Sequence, residues 1–179
     1  DYSDFYASVF HATNVGKMLR PDNPLLPNYK WIPIGYHGRA SSLVPSGTGV
    51  KRPSGQTETT GGGPPGFGPS RNLDYELEVA ALVDTPVRDL DARRGEEAIG
   101  GYLILNDWSA RDLQREETTV RLGPAKGKDF ASSIGPWLVT RDEGANPQKL
   151  AMWLDVNGQR MQTGNTRTMI FGVAKLVRY

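Results

Sequence analysis

The stretch Asp74-Tyr75-Glu76-Leu77-Glu78-Val79-Ala80-Ala81-Leu82-Val83 sets Tyr75, Leu77, Val79 and Ala81 against Asp74, Glu76 and Glu78 in alternation. A period of two is the signature of a strand with one apolar and one polar face, so Asp74–Val83 predicts a strand with Glu76 and Glu78 on the same side. Downstream, Tyr102–Leu105 predicts a buried strand that runs into Asn106-Asp107-Trp108. Ser109 and Asp112 then resemble a capping pair opening a short helix that carries Arg111 and Gln114. Leu150–Val156, Asn157-Gly158 and Gln159–Gln162 predict a hairpin, because Asn-Gly suits the type I′ turn that matches strand twist. The final segment, Thr168–Tyr179, predicts a helix with Asn165 or Thr166 as its cap. No stop signal follows it, and a chain incomplete at its C-terminus is expected.

Upstream of the strand, Gly61-Gly62-Gly63-Pro64-Pro65-Gly66 predicts a surface loop. Between Pro21 and Pro53 the prolines leave room only for short extended pieces such as Trp31–Ile34 and Ser42–Val44. Asp4–Val15 reads as a short helix with Ser3 as N-cap, or as an irregular loop. With 21 Gly and 13 Pro in 179 residues, the chain must turn often, which favours a mostly β, α+β architecture over a helical bundle. This length suits one globular domain, residues 1–179.

A formal charge of +1 and no basic run exclude a polyanion-binding field, so nucleic acid is not an expected partner. With no cysteine there is neither a disulfide framework nor a thiolate metal site. No apolar run has the length of a membrane span, and the opening Asp1-Tyr2-Ser3-Asp4 does not resemble a signal peptide. A soluble, cytoplasmic protein is the expectation.

The strongest chemical constellation is Asp4, Glu76, Glu78 and Asp107. Residues two apart on a strand point the same way at roughly 7 Å, so two glutamates can converge on one ion. Facing acids repel, and a divalent cation removes that cost; all-oxygen ligation favours Mg²⁺ or Ca²⁺ over zinc. Taken alone, Glu-x-Glu is more often the wet face of an antiparallel strand. His11 lies seven positions after Asp4 and shares a helix face with it if that helix forms. A neutral imidazole there would serve as a base for water, although a lone histidine is more commonly a surface residue. His37, in Gly35-Tyr36-His37-Gly38, reads as structural. Arg111 and Gln114 are three apart on one helix, and Lys128 follows in a Gly-Lys context; together they could stabilise a developing oxyanion or enolate.

These residues fall within blocks that occur in a fixed order: DYSDFYASVFHATNVGKMLR, PIGYHGRASS, SGTGVKRPSGQ, LDYELE, NDWSARDLQ, LGPAKGKDF and GPWLVT. In that order they resemble the fumarylacetoacetase family of the fumarylacetoacetate hydrolase superfamily over nearly the whole chain. The resemblance implies a mixed β-sandwich roll, usually a homodimer. It implies a divalent metal on Asp4, Glu76, Glu78 and Asp107, with His11 as the base that activates water. It further implies that Tyr6 and Arg20 contact the substrate carboxylate end and that Tyr36 lines the pocket. Arg111, Gln114 and Lys128 match the oxyanion-side groups, Gln114 also contacting substrate, and Lys128 with the backbone near Ser132 resembles a second cation site. The reaction implied is hydrolysis of the carbon–carbon bond of 4-fumarylacetoacetate, a small diketo acid of tyrosine and phenylalanine breakdown, to fumarate and acetoacetate.

The chain departs from the family pattern at Thr118-Thr119, where a substrate-contacting tyrosine is usual. The family's upstream SH3-like barrel and a C-terminal stretch with a carboxylate that orients the histidine have no counterpart in these residues. From Leu150 onward the sequence is closer to smaller members of the superfamily. Alternatives are therefore an acylpyruvate hydrolase, a hydroxydienoate decarboxylase or isomerase, or an inactive metal-binding module.

Overall fold

In the computed structural model, which describes residues 1–59, 61–91, 94–144 and 146–179, strands outnumber helices in an α+β, mostly β arrangement. In chain order the elements are β1 (Tyr2–Phe5), α1 (Val9–Leu19), β2 (Gly35–Gly38), β3 (Leu43–Pro45), β4 (Ser54–Thr57), β5 (Gly66–Pro69), β6 (Leu73–Asp74) and β7 (Leu77–Val83). There follow β8 (Ile99–Asp107), β9 (Ser109–Ala110), α2 (Arg111–Glu117), β10 (Ser132–Ile134), β11 (Val139–Thr140), β12 (Ala151–Val156), β13 (Gln159–Asn165) and α3 (Val173–Arg178). Among the described residues no helix is long and apolar enough to cross a membrane.

The chain forms two compact units. The first comprises Asp1–Tyr2, His37–Ala80 and Leu103–Trp137; the second comprises Ser3–Tyr36, Ala81–Tyr102 and Leu138–Tyr179. In the first, the end of β8 pairs antiparallel with β10, and β10 pairs in parallel with β3. This register sets Ser132 opposite Asp107. The hairpin β4–β5 lies against α2, where Leu113 fills the space that a Cβ on Gly55 would need, 2.7 Å from the leucine Cδ2. The predicted single strand Asp74–Val83 is two strands, β6 paired with β9 and β7 paired with β8. The break at Tyr75–Glu76 has a local cause: the Glu76 amide donates to Asn106 Oδ1 at 3.1 Å, and its carbonyl accepts from the Asp107 amide at 3.1 Å. Alternation alone does not register such a side-chain capture of the backbone.

In the second unit, the start of β8 pairs with β11, and β12 and β13 form the predicted hairpin. Asn157 and Gly158 both take positive φ, 51° and 79°, as a type I′ turn requires. The predicted helix at Asp4–Val15 begins instead at Val9, with Ser8 rather than Ser3 as its cap, because residues 2–5 are drawn into β1, which pairs with β2. Asp4 therefore stands on a strand, and the helical face it was expected to share with His11 does not exist. The C-terminal helix starts at Val173 rather than Thr168. Met169 bridges Ser8 and the Ile170 amide donates to the Ala7 carbonyl at 2.9 Å, which holds that segment extended. Ser109 and Asp112 do not cap α2. Ser109 belongs to β9, while Asp112 accepts from Ser70 Oγ at 2.6 Å and from the Arg71 amide at 2.8 Å.

Candidate active site

In the first unit, the carboxylates are held by cations on a second element. β8 ends by carrying Asp107 into the interior, where the residue is 1% exposed. A buried carboxylate without partners would be costly. Lys128, itself 6% exposed, brings its Nζ to 2.5 Å from Asp107 Oδ2 and 2.8 Å from Glu76 Oε2, and Ser132 Oγ donates to Asp107 Oδ1 at 3.1 Å. Arg111 extends the chain of charges. Its Nη2 lies 2.7 Å from Glu76 Oε1, its Nε lies 2.8 Å from Asp74 Oδ2, and its Nη1 donates to Gln114 Oε1 at 3.0 Å. The expected meeting of residues 111 and 114 on one helical face is realised as this hydrogen bond.

The electrostatic outcome is settled by which influence is larger. Burial disfavours the charge on Glu76, but the adjacent Lys128 and Arg111 outweigh it and hold the carboxyl below the usual range. Burial likewise disfavours the Lys128 ammonium, and Glu76 and Asp107 outweigh it, raising its pKa. Glu76 is thus held as a carboxylate between two cations, Lys128 and Arg111. Glu78, on β7, has a carboxylate oxygen within 4.8 Å of one on Asp107. Oxygens bound to one Mg²⁺ or Ca²⁺ at 2.0–2.6 Å lie within about 5 Å of each other, so this pair fits a hard divalent cation.

The second unit carries the other expected residues. Asp4 Oδ2 accepts from the Tyr36 hydroxyl at 3.0 Å, a contact that sequence reasoning did not foresee. Gly35 is required beside it, since a Cβ there would fall 2.6 Å from the Asp4 carbonyl oxygen. His11 lies in the first turn of α1, and its imidazole meets the Tyr6 ring edge to face at 5.4 Å between centroids. Arg20, at the C-terminal end of α1, donates from Nη2 to the Pro24 carbonyl at 3.2 Å. His37 lies on β2. Residues missed by sequence reasoning are Asp74, the second anchor of Arg111, and Tyr29, which packs on Tyr6. Asp74 was visible in the acidic alternation, whereas Tyr29 gave no local signal.

Residues 2–179 match the family model for the C-terminal domain of fumarylacetoacetate (FAA) hydrolase. The chain is 52% identical over 145 residues to the fumarylacetoacetase of Caenorhabditis elegans, an alignment covering 78% of this chain and 34% of the relative. It is 50% identical over 146 residues to that of Oryza sativa subsp. japonica, covering 79% and 34%. The chain thus spans about a third of the length of these curated relatives. Among solved structures, the fumarylpyruvate hydrolase of Pseudomonas aeruginosa in complex with Mn²⁺ and pyruvate superposes with a TM-score of 0.69 at 23% identity, over 97% of this chain and 67% of that one. This likeness establishes the fold.

Proposed function

Because the chain belongs to the fumarylacetoacetate hydrolase C-terminal family, we propose that the protein carrying it hydrolyses the carbon–carbon bond of 4-fumarylacetoacetate to fumarate and acetoacetate. The observation that carries this reading is identity with fumarylacetoacetases at about one residue in two, against 23% with the fumarylpyruvate hydrolase. Asp4, Glu76, Glu78 and Asp107 are the ligands proposed for a divalent cation, and their all-oxygen character favours Mg²⁺ or Ca²⁺. Bound there, the cation supplies Lewis-acid polarisation of the diketo oxygens.

The remaining roles fall to the chain's own side chains. His11 takes a proton from water, whose oxygen adds to the carbonyl carbon beside the scissile bond. As that bond breaks, its electron pair leaves with the acetoacetate fragment as an enolate, which is then protonated. Lys128, Arg111 and Gln114 stabilise the negative charge as it develops, and the fixed charges of Lys128 and Arg111 are already in place before reaction. Tyr6 and Arg20 bind the substrate's carboxylate end, Gln114 contacts it, and Tyr36, held on Asp4, lines the pocket. Lys128 and the backbone at Ser132 border a second cation. A cytoplasmic homodimer completes the proposal.

The test is turnover of 4-fumarylacetoacetate with added Mg²⁺ or Ca²⁺, after EDTA, and in His11→Ala. Metal-dependent turnover that is lost in His11→Ala while metal binding persists is the expected result. Substantial activity in that variant would remove His11 from its role, and metal binding without turnover in the wild type would indicate an inactive module.

A second reading, an acylpyruvate hydrolase or hydroxydienoate decarboxylase or isomerase, is favoured by one observation. Thr118 and Thr119 fold their hydroxyls back onto the Arg115 and Glu116 carbonyls at 3.3 and 2.8 Å. They do not replace the aromatic contact that the family usually makes there. Higher kcat/KM on an acylpyruvate than on 4-fumarylacetoacetate would decide for this reading.

A further inference from the structure

Three rings from separate parts of the chain form a ladder. His11 meets Tyr6 at 5.4 Å with an interplanar angle of 86°, and Tyr6 meets Tyr29 at 6.0 Å with an angle of 81°. We propose that Tyr29 is a positioning residue for the base: its ring fixes that of Tyr6, and Tyr6 fixes the imidazole of His11. This rests on the reading of His11 as the base that activates water.

His11 is exposed, so its side chain is free to exchange rotamers on a picosecond-to-nanosecond timescale unless a neighbour restrains it. The edge-to-face contact with Tyr6 is a directional restraint, since the ring quadrupoles favour that geometry. Tyr6 is only half-buried, however, and its own plane needs support. Its backbone amide donates to the Ile34 carbonyl at 2.8 Å, which fixes the main chain, and its ring packs on that of Tyr29.

Tyr29 is suited to that task because it is buried. It is 3% exposed and follows a turn in which its amide donates to the Leu26 carbonyl at 3.1 Å. Upstream of it, the backbone at Pro24 packs on α1 at Gly16, where a Cβ would lie 2.0 Å from the Pro24 carbonyl oxygen. The pocket beside Tyr6 and Tyr29 has a volume of about 30 Å³, little more than one water needs. The Tyr29 hydroxyl is buried with no hydrogen-bond partner among the described residues. Burial, and after it the neighbouring Tyr6, pushes its pKa up to about 12, which keeps the phenol neutral. An unpaired buried hydroxyl contributes nothing favourable to stability. The ring, not the hydroxyl, is therefore the functional part of this side chain.

Two substitutions and one spectrum test the inference on the full chain. Tyr29→Leu is expected to move the His11 ring-proton resonances toward random-coil positions and to lower kcat about tenfold or more, with metal affinity within twofold. Tyr29→Phe should keep both the resonances and kcat within twofold of wild type. A folded Tyr29→Leu with unchanged His11 resonances overturns the proposal, as does a Tyr29→Phe loss equal to that of Tyr29→Leu. In the wild type, NOE cross-peaks are expected between His11 and Tyr6 and between Tyr6 and Tyr29; their absence overturns it whether or not any variant folds. Activity retained in His11→Ala would defeat the base assignment and this inference with it. Unmoved resonances beside an inactive His11→Ala would defeat the positioning alone.

Discussion

Ser8 Oγ and Thr168 Oγ1 lie 3.0 Å apart although 160 positions separate them in sequence. Ser8 also caps α1, accepting from the His11 amide at 3.4 Å, so the helix start is tied to the segment before α3. Ser8→Ala should cost about 1 kcal/mol, the usual worth of a serine cap. Thr168→Val should cost less, and the two losses should be non-additive by about 0.5 kcal/mol or more because they share one contact. A double-mutant cycle by urea unfolding measures this. Strict additivity would show that the two hydroxyls do not interact in solution.

Lys128→Met keeps the apolar stem of the side chain and removes the ammonium. It takes the ammonium from buried Asp107, which keeps the Ser132 hydroxyl, whereas Glu76 keeps Arg111. Removal of one partner of a buried pair costs about 3–5 kcal/mol, because the remaining charge is uncompensated. Adding Asp107→Asn to Lys128→Met should recover part of that loss. Unfolding midpoints of the two variants decide it, and a double variant less stable than Lys128→Met would contradict the charge argument.

Asp112 offers a pH test away from the metal ligands. Burial opposes its charge, but hydrogen bonds from Ser70 Oγ and from the Arg71 and Leu113 amides outweigh it and lower its pKa. A carboxyl lowered on folding contributes stability above its unfolded pKa, about 3.9, and loses it as the pH falls through the folded value. The stability advantage of wild type over Asp112→Asn should therefore be level above about pH 5 and shrink below about pH 4. An advantage that grows with acidification would reverse the sign and reject the assignment.

Gly16→Ala sets two effects against each other. Alanine in a helix interior gains up to about 1 kcal/mol over glycine. The new Cβ would lie 2.0 Å from the Pro24 carbonyl oxygen, and that atom belongs to the backbone and cannot rotate aside. Overpacking of this kind costs about 1–3 kcal/mol or more, so net destabilisation of about 2 kcal/mol is expected by thermal unfolding. A stabilised variant would show that the turn at Pro24 is not docked on the helix.

The sequence was most legible where a local signal and a tertiary demand coincide. Asn157-Gly158 specifies its own hairpin, and residues 111 and 114 need only a helix to meet. It was least legible where two local signals competed. Ser3 and Ser8 are both able to cap a helix, and the choice was made by the pairing of β1 with β2, which no window around either serine contains. Tyr75–Glu76 alternates correctly but loses its strand geometry to the Asn106 side chain, 30 positions away. For the site, the acids were readable as types, while their neutralisation by Lys128 depends on the β8–β10 register. Tyr29 was invisible because a buried aromatic after a proline-rich loop looks like any other core residue.

The Asp107–Lys128–Glu76 chain has a consequence for the history of each molecule. The Asp107 and Glu76 carboxylates meet their counter-charge within the same unit, so their burial does not wait for an ion. Small metal-dependent domains, by contrast, unravel when the metal is withdrawn. Under the proposed metal-dependent activity, a shortage of divalent ions would leave the protein intact but idle, and renewed supply would restart existing copies without new synthesis.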